Sequence, residues 1–169
     1  NVLQGRLVGV LAVIYLIFNE GYSASSGEML TRTDLSTEAV RLGQVLADLM
    51  PDDPEVLGLL ALMLLHDARR DSRQTQEGLP VLLEDQDRSI WDRGKIGQGV
   101  SLLDRALRMG RPGQYQVQAA VAALHCQAES AENTDWSQIA ALYGSLSQIQ
   151  PSPVVELNRS VAVARASSP

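Results

Sequence analysis

The five residues Met50-Pro51-Asp52-Asp53-Pro54 separate two stretches that both read as helix, and they leave room for little more than a tight turn. Before them, Leu35, Ala39, Leu42, Leu46 and Leu49 recur at steps of four and three, which lays one apolar stripe along a helix over about 35–50. Asp34 is its predicted N-cap, because a short carboxylate accepts from the free amides of a first turn. After the turn, Asp53 offers the same service, and Pro54 sits in the first helical position, where its missing N–H costs nothing. That helix is predicted to run to about residue 70. Two helices joined so closely lie antiparallel, so one helical hairpin is expected from this segment alone.

The same punctuation recurs along the chain. Residues 3–18 are apolar on every side, which predicts a helix covered by neighbours. Ile96, Val100, Leu103 and Leu107 share a face of a helix over about 90–109, and Gly110 stands where a left-handed residue ends it. Pro112 opens a fifth helix over about 113–128, whose Ala119, Ala120, Ala122 and Ala123 allow a close neighbour. Thr134 is the predicted cap of a sixth over about 135–150, which carries Trp136, Ile139, Tyr143 and Leu146. Ser152-Pro153 opens a seventh that reaches about residue 165. Between 71 and 84 the period fails: a polar stretch precedes Leu79-Pro80-Val81-Leu82-Leu83, which predicts a loop and an extended piece packed back on the body. A connection this long is more often functional or mobile than a mere link.

The expected fold is therefore all-α. Residues 1–169 form one helical domain of about seven helices, three antiparallel hairpins behind a leading helix, stacked in a tetratricopeptide-like array. No strict period of about 34 residues survives alignment, so the likeness is one of shape. The last helix presents Val154, Leu157 and Val161 with nothing in sequence to cover them, which points to a further segment or a homodimer. The chain opens on Asn1 rather than Met and reads as a piece of something longer.

Composition narrows the function classes. Aromatics are only 4% of the chain, so the core is built from Leu, Val, Ile and Ala. A net charge of -6 argues against direct nucleic-acid binding, which depends on lysine and arginine neutralising phosphates. The apolar run from Leu7 to Phe18 falls short of the roughly twenty residues of a spanning helix and precedes no cleavage site, so a cytoplasmic protein without a membrane segment is expected. Cys126 is single and lies in an apolar run, which makes it a small core residue. His66 and His125 lack zinc-ligand spacing and read as packed or capping side chains. No nucleophile elbow or phosphate loop is present, so no catalytic residue, cofactor or metal is predicted.

The densest polar cluster is Glu84, Asp85, Asp87, Arg88, Asp92 and Arg93, with Trp91 inside it. Asp85 and Asp87 lack the glycine and the distal glutamate of a calcium loop. Capping of a following helix, with the arginines pairing to the carboxylates, and a partner or ligand surface both fit the spacing. Asn19, Glu20 and Tyr22 form a second polar group at the end of an apolar helix. Glu20 and Tyr22 are expected to meet Arg88 and Trp91 and line one groove with them.

Five blocks carry a resemblance that spans nearly the whole chain. They are Tyr15–Ala24 (15–24), Pro54-Glu55-Val56 through Arg69-Arg70, Leu82-Leu83-Glu84-Asp85 through Asp92-Arg93, Gly110-Arg111-Pro112-Gly113 through Ala120, and Ser152-Pro153 through Ala164. In this order they resemble the C-terminal, tetratricopeptide-like extension of one group of bacterial extracytoplasmic-function RNA polymerase sigma factors. The resemblance implies an auxiliary, regulatory module that works by contact rather than catalysis. Its partners would be the sigma factor's own promoter-reading domains and, through the full-length protein, core RNA polymerase. In such proteins the extension would take over the control that a separate anti-sigma factor exerts elsewhere. A generic helical scaffold binding a peptide or small ligand is the alternative.

Overall fold

Asp53 does what its place before Pro54 predicts: its carboxylate accepts from the amides of Glu55 (3.0 Å) and Val56 (3.1 Å). The helix it starts becomes the centre of the molecule. The computed structural model describes residues 2–22 and 29–167, and these form α1 (Val2–Tyr22), α2 (Met29–Leu49), α3 (Pro54–Asp67), α4 (Arg93–Arg108), α5 (Gln114–Gln127), α6 (Trp136–Ile149) and α7 (Pro153–Ser167). Among the described residues no strand occurs beyond one isolated antiparallel bridge between Gln74 and Pro80. The architecture is an all-α stacked array.

In α3 every residue except Glu55 and His66 is buried. It can afford this because α1, α2, α4 and α5 all pack on it. Leu60 and Leu65 are fully enclosed, and truncating either to alanine should cost about 2–5 kcal/mol, the range for a leucine in a core that cannot collapse around the gap. Gly58 lets α5 approach closely: a methyl there would lie 2.8 Å from the Gln116 amide nitrogen. Two smaller apolar clusters, Val117 with Leu146 and Val155, and Val121 with Ile139 and Ala162, tie α6 and α7 to α5.

Several expectations are corrected. The helix covered on all sides is α3, not α1: α1 buries Leu11, Ile14 and Phe18, while Val8, Val13 and Leu16 are 62%, 56% and 68% exposed. It packs mainly on α2 and α3 and touches α5 through Tyr15, and by length and composition alone its Gly5–Tyr22 stretch is apolar enough to cross a membrane. The tight turn does join α2 to α3, but the broadest packing is α1 with α2, α3 with α4 and α5, and α6 with α7. Helices pair by the width of their apolar faces, and the single stripe of α2 is largely spent on α1.

Boundaries move for related reasons. α2 begins at Met29, so Asp34 lies inside it and caps nothing. Asp135, not Thr134, caps α6, accepting from the Gln138 amide at 2.9 Å. α4 starts after Asp92 instead of at Ile90, and its buried face is Ile96, Gly99, Leu103 and Ala106, leaving Leu107 exposed. Gly110 takes φ 67, as its position after α4 requires. On α7, Val155 and Ala162 are buried, and Val154, Leu157 and Val161 stay exposed.

Candidate functional site

The connection between α3 and α4, residues 68–92, is a strap that crosses the ends of several helices. It leaves α3 through a 3₁₀ turn at Arg70–Ser72, folds on itself through the Gln74–Pro80 bridge, and returns through two more such turns at Leu83–Asp85 and Arg88–Ile90. Much of its polar sequence is used to build these turns. Asp87 accepts from the Ser89 amide (2.9 Å) and hydroxyl (2.6 Å), which hold its carboxyl below the usual carboxylate range. Asp92 accepts from the Lys95 amide at 3.0 Å and so caps α4. Trp91 is buried and donates its indole N–H to Ser72 Oγ at 2.8 Å.

Arg88 holds the strap to the body. Its guanidinium lies 4.5 Å from the Trp91 ring centre and donates to the carbonyls of His125 (2.7 Å) and Ala128 (3.1 Å). Those carbonyls belong to the C-terminal end of α5, where the last turn has no intrahelical donors and the helix dipole favours a cation.

Beneath the strap, Tyr22, His66 and Arg69 form a polar core. His66 Nδ1 lies 3.0 Å from the Tyr22 hydroxyl and 3.3 Å from Arg69. A guanidinium only donates, so Nδ1 is an acceptor and the Tyr22 hydroxyl also donates to it. Burial, then the charges of Arg69 and Arg73 and the neighbouring His125, push His66 down to about 3, so the ring is neutral at any ordinary pH. Arg73 stacks 3.2 Å from the Tyr22 ring centre and donates to the Tyr22 carbonyl at 2.8 Å. Arg69 in turn faces Trp91 at 5.7 Å.

The expected meeting of the two polar groups is thus indirect. Tyr22 and Trp91 share one network, joined through His66 and Arg69. Asn19 bonds Tyr15 within its own helix, and Glu20 is exposed.

A cleft of about 830 Å³ opens on the outer side of the strap. Leu82, Leu83, Glu84, Asp85 and Arg88 form one wall; none of Asn19, Glu20 and Tyr22 lines it. The opposite wall comes from the last turn of α5 with His125, the α5–α6 connection with Glu132, and the first turn of α6 with Trp136. Val161 and Arg165 of α7 close the end. Arg165 bridges the walls: it pairs with Glu84 Oε2 at 2.6 Å and sits 5.8 Å from the Trp136 ring centre. His125 meets Trp136 edge to face at 5.3 Å, and burial followed by the charges of Arg69 and Arg88 pushes it down to about 4.

Sequence reasoning found the strap side of this cleft and missed the other. Trp136 read as one member of a helix stripe and Arg165 as a helix end; only folding brings Arg165 to Glu84, 81 residues away in sequence.

The all-helical stack thus holds a cleft lined by charged side chains and the Trp136 indole. The chain belongs to a family of unknown function (DUF6596), whose model matches residues 6–107. It is 51% identical over 164 residues to "Uncharacterized protein R00370" of Rhizobium meliloti (strain 1021), a match covering 97% of this chain and 39% of that protein. The chain therefore spans about two-fifths of the length of the relative it matches. No solved structure matches it.

Proposed function

We propose that this chain is the regulatory C-terminal portion of an extracytoplasmic-function RNA polymerase sigma factor, acting in the cytoplasm on transcription initiation through protein contacts with the promoter-reading part of the same polypeptide. The observation that carries the reading is the convergence of the resembling blocks. Tyr22 from the first, His66 and Arg69 from the second, and Trp91 from the third are the members of one polar core, and Arg88 ties that third block to α5. The residues that give the resemblance are those that fix the strap and its cleft in place.

Charge supports the mode of action. At -6 the chain is poorly suited to phosphate and well suited to the basic surface that any promoter-reading domain must carry. The length of the relative supports a module that works within a longer protein.

Deleting this region from the full-length protein should change transcription from its cognate promoters, measured with purified core polymerase, while the remaining domains keep their circular dichroism and thermal transition. Transcription that is unaltered in rate and promoter choice would overturn the proposal.

A further inference from the structure

We infer that the cleft between the strap and α6–α7 is a receptor for a peptide segment presenting an arginine beside an apolar side chain, and that Arg165 holds that arginine's place in the free protein. This deepens the regulatory reading above, on which it rests for the partner's origin: a nucleic-acid-reading surface is necessarily rich in arginine and lysine.

Three observations point to the class of occupant. First, the cleft is of a size to take side chains, and its walls mix exposed apolar groups with acceptors: Leu82 is 67% and Val161 49% exposed, and Glu84, Asp85 and Glu132 line it together with the Trp136 indole. Second, both cations of the cleft have partners within the chain. Arg88 donates through Nη1 to both α5 carbonyls and lays its face on Trp91. An acidic ligand would meet three carboxylates and would have to draw Arg165 away from Glu84, whereas a guanidinium meets acceptors and an aromatic face.

Third, Arg165 demonstrates the fit. It enters from the last turn of α7, reaches Glu84 at 2.6 Å and lies over the indole, yet its side chain remains 50% exposed and that of Glu84 43%. A pair so open to water is weakly held and readily exchanged. An incoming arginine would reproduce both contacts and add what Arg165 cannot, burial of Leu82 and Val161 by the residues beside it. Exchange also frees the tie between strap and α7, so occupancy of the cleft is communicated to the C-terminal helix.

The test is a titration of the whole 169-residue chain with two synthetic hexapeptides, one alternating arginine with leucine and the other alternating glutamate with leucine, followed by tryptophan fluorescence. The Trp136→Phe variant identifies which of the two indoles reports. The arginine peptide should bind and the glutamate peptide should not. Arg165→Ala should tighten binding about fivefold, because the internal competitor is gone. Glu84→Gln should weaken it about tenfold, the loss of one charge-assisted contact.

Binding left unchanged or weakened by Arg165→Ala would overturn the inference, as would equal binding of the two peptides. Arg165 and Glu84 lie on the surface, so folding of both variants is checked by circular dichroism. Failure here with a transcriptional effect of deleting the region removes the cleft and leaves the regulatory reading. Binding without any such effect does the reverse.

Discussion

Glu55 should contribute more to stability than its partly exposed position on α3 implies. Its carboxylate accepts from the amides of Tyr115 (3.0 Å) and Gln116 (3.1 Å) and from the side-chain amide of Gln116 (3.1 Å). It therefore caps α5 from another helix, and it must, since Gly113 at the N-cap position has no side chain to do so. Glu55→Ala removes a cap, worth about 2 kcal/mol at the upper end of the range, and leaves the fully buried Gln116 short of a partner, worth about 1–3 kcal/mol. The two overlap, so the expected loss is about 3 kcal/mol. Gly113 supplies the control. A methyl there would fall 2.2 Å from the Glu55 carboxyl carbon, so Gly113→Ala alone must drive the carboxylate from its donors and should cost about 2 kcal/mol. With Glu55 already alanine the obstacle is gone, and at φ -140 any residue is accommodated, so the second change should cost nothing. Urea unfolding followed by circular dichroism, with a constant m-value, measures all four corners. A loss under about 0.5 kcal/mol for Glu55→Ala, or additive single changes, would refute the capping role.

Gly58→Ala gains about 1 kcal/mol in helix propensity but sets a methyl against the Gln116 backbone, so a net loss of about 1–2 kcal/mol is expected in the same unfolding assay. Asp67, only 6% exposed at its side chain, holds both Arg70 and Lys95; because Lys95 is 40% exposed, Asp67→Asn should cost about 2 kcal/mol, below the full value for a buried pair, and should lower the thermal midpoint by several degrees. His66 and His125 have folded values of about 3 and about 4 against 6.5 when free, so between those limits the unfolded chain binds more protons and stability falls as pH drops below 6.5. The denaturation midpoint should decline from pH 7 to pH 5 in the native protein and decline less in the His66→Asn and His125→Asn variants, and identical slopes would count against both assignments.

The fold was legible because its punctuation is local. Asp53-Pro54, Gly110 and Ser152-Pro153 each act within one turn, and each sits where the sequence places it; Ser152 Oγ accepts from the Val155 amide at 3.2 Å. What escaped was whatever depends on a neighbour's width. Leu7–Phe18 (7–18) and the Pro54 helix are similarly apolar, and period alone cannot say which will be enclosed; only the assembled stack makes α3 the axis and leaves Val13 and Leu16 of α1 exposed. Caps also competed. Thr134 and Asp135 are both good N-cap residues one position apart, and the carboxylate, the stronger acceptor, took the role. Half of the cleft was invisible for the same reason as the Glu55 cap: its partners lie 60 to 81 residues apart.

Within the strap, the structure separates the polar residues that build it from those that line the cleft, which composition cannot do. Asp87 is occupied with Ser89, Asp92 with Lys95 at the start of α4, Trp91 with Ser72, and Arg88 with the end of α5. The first and third contacts brace the strap internally, and the other two tie it to α4 and to α5, so the cleft wall between them is held in place. Glu84 and Asp85 are the acidic members of the motif that line the opening, and among the described residues Glu84 pairs with the half-exposed Arg165. A recognition surface gains affinity when its supporting contacts are made in advance, because the partner then does not have to order them. The division of labour also predicts how substitutions should sort: changes at Arg88 or Trp91 should lower stability and recognition together, and changes at Glu84 or Asp85 should affect recognition alone.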